Sequence, residues 1–250
     1  MIVLKSRHEI DLMRQAGRIV GMVLAEMQNV VRPGITTKDL DTIAERIIVK
    51  AGAKPAFKGY AGFPATICAS INEEIVHGIP SRRRVLKEGD IISVDVGSIY
   101  KGWYGDAAIT LPVGKISEEA ERLLEVTRAS LEAAIEKAVP GNHLGDISAA
   151  VQQYVESHGY SVIREYTGHG IGRELHEEPQ VLNYGTPGTG VRLRPGMTMA
   201  IEPMVSAGSY KTRVLSDGWT VVTRDGSLTA HFEHTIAITD NGTEILTKYD

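Results

Sequence analysis

Leu86-Lys87-Glu88-Gly89-Asp90-Ile91-Ile92-Ser93-Val94-Asp95 can be laid over Leu193-Arg194-Pro195-Gly196-Met197-Thr198-Met199-Ala200-Ile201-Glu202. The two stretches share a leucine, a base, a glycine and an apolar run, and Asp95 falls on Glu202. Upstream, His77-Gly78-Ile79-Pro80 echoes His169-Gly170-Ile171-Gly172; downstream, Asp106-Ala107-Ala108-Ile109-Thr110 echoes the segment from Glu233 to Thr239. The order His, acid, acid is therefore written twice, which predicts two similar halves facing each other across one shared site. Acids on apolar strands are expensive to bury unless something cationic meets them. Metal ions are the obvious candidate.

At 250 residues the chain is near the upper limit for one hydrophobic core. The repeat favours a single domain over residues 1–250, built of halves at approximately 1–112 and 113–250. A 42% apolar and 23% charged composition is that of an ordinary soluble globular protein. The net charge of -4 gives no general pull toward nucleic acid, and Arg82-Arg83-Arg84 reads as a solvated loop. Cys68 is the only cysteine, which excludes an intramolecular disulfide and thiolate metal clusters. No apolar signal core or membrane span stands out, so a cytoplasmic location without membrane contact is expected.

Ser6-Arg7-His8-Glu9 has the form of a capping box, and Ile10, Met13, Gly17, Val20, Leu24, Met27 and Val31 recur behind it at helical spacing. This predicts a long helix stopped near Pro33-Gly34, then a second helix capped by Thr36 or Thr37 and closed by Gly52. Strands are expected at about 65–71, 91–99 and 103–111. Ser117 caps a third helix to about 138, and a fourth spans about 144–158. Further strands are expected at about 160–163, 197–205, 219–223, 231–239 and 244–247. The order predicts an α+β fold with a curved, mainly antiparallel sheet covered by helices.

Asp95 and Asp106 lie eleven residues apart on consecutive strands joined by a short turn, so a hairpin can bring them to one face. Carboxylates so placed raise one another's pKa and destabilise the sheet unless a divalent ion lies between them. Glu202 and Glu233 repeat the arrangement. Together with His169 they form a hard, oxygen-rich set suited to two divalent ions. Any one of these acids alone would read as a solvated strand end; four in register with a repeat do not. His8, His143 and His158 sit in or beside helices as surface or cap residues. His231 shares a strand face with Glu233, where it can stand behind a ligand, and His234 points the other way; for both, a structural role is expected. His176-Glu177-Glu178-Pro179-Gln180 lacks the second histidine of a zinc-protease helix.

The ordered set His77-Gly78-Ile79-Pro80, Val94-Asp95-Val96, Gly105-Asp106, Thr167-Gly168-His169-Gly170-Ile171-Gly172, His176-Glu177-Glu178-Pro179, Ile201-Glu202-Pro203 and Phe232-Glu233-His234-Thr235 resembles a type I methionine aminopeptidase of the M24 metallopeptidases. The similarity runs over essentially the whole chain. It implies the pita-bread fold, two divalent metal ions and removal of the initiator methionine from nascent chains whose second residue is small. It also implies the ligand set Asp95, Asp106, His169, Glu202 and Glu233, with Asp106 and Glu233 bridging. By the same resemblance, catalysis uses Glu202 as proton relay, His77 near the scissile nitrogen and His176 toward the carbonyl oxygen. The methionine side chain would sit against Tyr60, Phe63, Cys68, Trp219 and Leu175. Leu175 stands where an aromatic is commoner in bacterial relatives, and Phe57 where Cys is frequent.

The ion could be Co, Mn, Fe, Zn or Ni, since availability decides more than affinity. The implied partners are the nascent N-terminus and, through it, transient ribosome contact; a monomer is the default, with no membrane and no sequence-specific nucleic acid. An Xaa-Pro aminopeptidase or prolidase, which uses the same metal cage, is the alternative enzyme. A non-catalytic binding module of the same fold is the alternative outside enzymology.

Overall fold

The computed structural model describes residues 2–249. Helix α1 (Arg7–Val30) starts as its capping box demands: Ser6 Oγ accepts from the Glu9 N–H, and Glu9 accepts in return from the Ser6 N–H at 2.8 Å. Helix α2 (Thr37–Lys50) opens on the same device, built from Thr36 and Asp39. The first half continues through β1 (Lys54–Pro55), β2 (Ile67–Ile71), β3 (Glu74–Val76), β4 (Ile91–Tyr100) and β5 (Trp103–Pro112). The second half begins with α3 (Glu118–Lys137) and α4 (Leu144–Ser157), then β6 (Ser161–Val162), β7 (Gly168–Gly170), β8 (Glu177–Val181), β9 (Thr198–Ile201) and β10 (Met204–Ser206). It closes with β11 (Thr212–Val214), β12 (Val221–Thr223), β13 (Thr229–His231), β14 (His234–Thr239) and β15 (Gly242–Ile245). The expected α+β class with antiparallel strands is what the chain adopts.

Strand β4 is the spine of the first sheet, paired with β1, β2 and β5. The β4–β5 hairpin turns on Lys101 and Gly102, both in the left-handed region at φ 50° and 79°. A two-residue turn of that kind matches the natural twist of a hairpin and sets its register. Asp95 pairs with Ala108 and Asp106 with Gly97, so the two acids share a face as diagonal neighbours. Helix α1 lies directly on this hairpin, because a Cβ on Gly105 would come within 2.8 Å of the Gly17 nitrogen.

The second half corrects two expectations. The strands expected at 197–205 and 231–239 are each broken in the middle. Strands β9 and β14 pair with each other, His234 opposite Ile201, in a five-stranded sheet of order β15-β14-β9-β7-β8. Strands β10 and β13 pair in a different, three-stranded sheet, Met204 opposite His231. Both strands therefore change sheet at the same level, at Glu202-Pro203 and Phe232-Glu233. Pro203 has no N–H for a ladder, which makes this a natural place for the crossing. The strand expected at 219–223 starts only at Val221, and the one at 244–247 lies at Gly242–Ile245. Strands β1, β3, β7, β8 and β11 were not expected, β1 falling where a Gly/Pro-rich loop is expected over 54–64; they are short, and glycine, proline or polar residues hide their alternation.

One apolar cluster draws on both halves, from Val20 and Leu24 on α1 through Val94 and Ile109 to Met199, Phe232 and Ile236. No helix among the described residues is long and apolar enough to cross a membrane.

Candidate metal centre

Asp95 and Asp106 come from the continuous hairpin, Glu202 and Glu233 from the two crossings, and His169 from β7. The Asp106 backbone is clasped by Thr235, whose hydroxyl accepts its N–H at 3.1 Å and donates to its carbonyl at 2.7 Å. Glu233 is docked onto the hairpin by its own N–H, which donates to the Ala108 carbonyl at 2.9 Å. His169 donates Nδ1–H to the Gly170 carbonyl at 2.9 Å, which leaves the lone pair of a neutral ring on Nε2. That nitrogen lies 3.6 Å from Glu202 Oε1 and 3.8 Å from Asp106 Oδ2. Donor atoms of Asp106, His169 and Glu233 lie within 4.8 Å of one another, as do those of Glu202, His231 and Glu233.

These acids are starved of partners. Asp95 Oδ1, Asp106 Oδ1 and Glu233 Oε1 are buried without a hydrogen bond, and no Lys or Arg lines the cavity they face among the described residues. Burial, with help from Glu202, pushes the Asp95 carboxyl up to about 7. Burial raises Asp106 well above its ordinary value, reinforced by Asp95, and raises Glu202 and Glu233 likewise. Unpartnered buried carboxylates beside an imidazole lone pair, at separations that span a cation, fit a divalent metal site.

The remaining residues singled out from the sequence line the same cavity of about 320 Å³. Burial holds His77 down to about 4, with His231 and His176 adding to the effect, and lowers His176 as well. His77 takes a left-handed backbone at φ 62°, a strained choice for a residue with a Cβ and one that clusters at functional sites. Its ring packs edge-on against Tyr166 and Trp219. Leu175 is buried, Cys68 pairs with Asp95 in the β2–β4 ladder, and Phe63 meets Trp219 edge-on at 5.1 Å between ring centroids. Tyr60 does more than line a wall: its hydroxyl is hydrogen-bonded to His176 Nδ1 at 2.7 Å.

Sequence reasoning missed Val76, Glu165, Tyr166, Thr167 and Met204 as cavity residues. The position of Glu165-Tyr166-Thr167 just ahead of His169 was the available signal. His8, His143 and His158 lie away from the cavity, and His234 hydrogen-bonds Thr247 at 3.0 Å on the far side of its strand.

The chain matches metallopeptidase family M24 across residues 11–240. It belongs to that family. Within M24 it sits among the methionine aminopeptidases. It is 59% identical over 247 residues to the methionine aminopeptidase of Clostridium acetobutylicum, covering 99% of both chains. It is 49% identical to that of Escherichia coli, covering 98% of this chain and 94% of the relative. The crystal structure of methionine aminopeptidase from Thermotoga maritima superposes with a TM-score of 0.98 at 56% identity, covering 99% of this chain and all of the other. The prolidase of Pyrococcus horikoshii superposes at 0.81 with 25% identity, but this M24 chain covers only 65% of it. The pita-bread fold is thus shared with both, and full-length correspondence with the methionine aminopeptidases alone of these two.

Proposed function

We propose that this M24 chain is a metal-dependent methionyl aminopeptidase that removes the initiator methionine from nascent chains with a small second residue. The observation that carries the reading is the set of buried, unpartnered carboxylates joined by His169 in one mostly apolar cavity. Asp95, Asp106, His169, Glu202 and Glu233 would hold two divalent ions. Bound there, such ions supply Lewis acidity that polarises a carbonyl and brings the pKa of a water toward neutrality.

The chain's own groups supply positioning and proton handling. Phe63, Cys68, Leu175 and Trp219 take the unbranched thioether side chain, and fit to that wall provides selectivity, since a methylene-sized difference is worth only about 1–3 kcal/mol. With the Tyr60 hydroxyl donating to Nδ1, His176 presents Nε2–H to the developing oxyanion. His77 stands toward the scissile nitrogen, and Glu202 passes a proton to the leaving amine. Residues 1–250 act as one catalytic domain, a reading supported by the apolar cluster that both halves share. The setting is the cytoplasm, with the protein monomeric and in transient contact with the ribosome.

The deciding experiment strips the protein of metal, restores Co, Mn, Fe, Zn or Ni singly, and follows hydrolysis of Met-Ala-Ser, Met-Leu-Ser and Ala-Pro peptides. Metal-dependent release of Met from the first alone is expected. Hydrolysis of Ala-Pro in preference would make the chain a prolidase-like enzyme, and no hydrolysis with any ion would make it a binding module.

A further inference from the structure

Glu202 stands between two imidazoles. Its Oε1 lies 3.6 Å from Nε2 of His169, and its Oε2 lies 3.6 Å from Nε2 of His231. The two rings are held differently. His169 spends its Nδ1–H on the Gly170 carbonyl and so offers a lone pair to the cavity. His231, 1% exposed and outside the cavity lining, makes no hydrogen bond to another protein group through either ring nitrogen. No carbonyl fixes a proton on its Nδ1, so its N–H is available on Nε2, the nitrogen that faces Glu202 Oε2 and, at 3.9 Å, Glu233 Oε2.

The backbone beneath this ring is anchored as firmly as that of a candidate ligand. The Thr110 hydroxyl accepts the His231 N–H and donates to the His231 carbonyl, both at 2.8 Å. It repeats the double clasp that Thr235 applies to Asp106. A ring so anchored, buried against two acids, has one evident use. A carboxylate that gives one oxygen to a metal site is normally steadied by a hydrogen bond on the other.

We infer that His231 is a positioning residue of the metal centre, whose Nε2–H holds the outer oxygen Oε2 of Glu202 and thereby aims Oε1 into the set formed with His169. A closure of a few tenths of an ångström turns the 3.6 Å approach into a hydrogen bond. The inference rests on the metal-centre reading above and adds to it a second, non-ligating imidazole.

The test measures binding of Mn and Co to metal-stripped full-length protein by calorimetry, with bound metal counted by atomic emission. It compares the wild type with His231→Gln, whose amide N–H can reach Glu202 Oε2, and with His231→Asn and His231→Leu, which cannot. Gln should keep affinity within a few-fold, while Asn and Leu should each weaken it about 10–100-fold without lowering the number of sites. If either Asn or Leu fails to fold, the other against Gln decides. Affinity unchanged in the short variants would overturn the inference, as would equal losses in Gln and Asn, which would make the ring a ligand. A wild type that takes up no ion would instead defeat the metal-centre reading itself.

Discussion

The hydrogen bond between Tyr60 and His176 joins residues 116 positions apart in the chain, and it fixes which nitrogen of His176 faces the cavity. Removing that hydroxyl leaves the ring in place and frees the imidazole to choose its tautomer. Tyr60→Phe is therefore expected to lower kcat by roughly tenfold, the worth of about one hydrogen bond, with metal content and KM for Met-Ala-Ser nearly unchanged. Loss of metal instead would show that Tyr60 supports the ligands. His176→Ala and His77→Ala should go further, to roughly 10²–10⁴-fold, still with two ions bound. Asp106→Asn should remove tight metal binding and turnover together, and an active variant with full metal content would contradict its place in the ligand set. These acids were legible in the sequence because a duplication wrote each pair twice. The tie between Tyr60 and His176 was not, because nothing in either local sequence records a partner so distant.

Helices, the hairpin and its turn were legible because each carries local chemistry: capping boxes at Ser6 and Thr36, apolar spacing along α1, and a short turn at Tyr100-Lys101-Gly102 between two apolar runs. The breaks in the second half were not, since alternation runs unbroken through Glu202 and Glu233 and only Pro203 hints at a crossing. Those crossings explain why the acids of the second half reach the hairpin at all: a strand that stayed in the five-stranded sheet would not set Glu233 against Ala108. The close seat of α1 depends on glycines. A Cβ on Gly17 would lie 2.3 Å from the Leu246 carbonyl oxygen, a backbone atom that cannot swing aside. Despite alanine's better helix propensity, Gly17→Ala should destabilise the protein by about 1–3 kcal/mol, read as a lower urea midpoint. A midpoint at or above that of the wild type would mean the segment after β15 shifts freely.

At the scale of the whole molecule, the halves meet where four acids meet, so stability of the assembled chain and occupancy of the site are linked. Asp95 has an ordinary value of 3.8 when unfolded and about 7 when folded, and its three partners lie higher than their ordinary values too. The folded state thus holds more protons than the unfolded one from the ordinary carboxyl range up to these raised values, an interval that for Asp95 ends near 7, and the metal-free protein must lose stability as pH rises through it. Buried histidines oppose this below 6.5: His77 and His169, lowered to about 4, favour unfolding as pH falls through that range. Above about pH 7 they are mostly neutral in both states, and the acids dominate. The metal-free protein should therefore show a urea midpoint that declines from about pH 7 to about pH 8. Saturating Mn should flatten or reverse that decline, because it binds the deprotonated acids and only in the folded state. Asp95→Asn should make the metal-free slope shallower near pH 7, where that carboxyl still titrates, by removing one of its sources. A midpoint that rises over this interval without metal, or a slope that Asp95→Asn leaves untouched, would mean that these carboxyls are already ionised and paired within the fold.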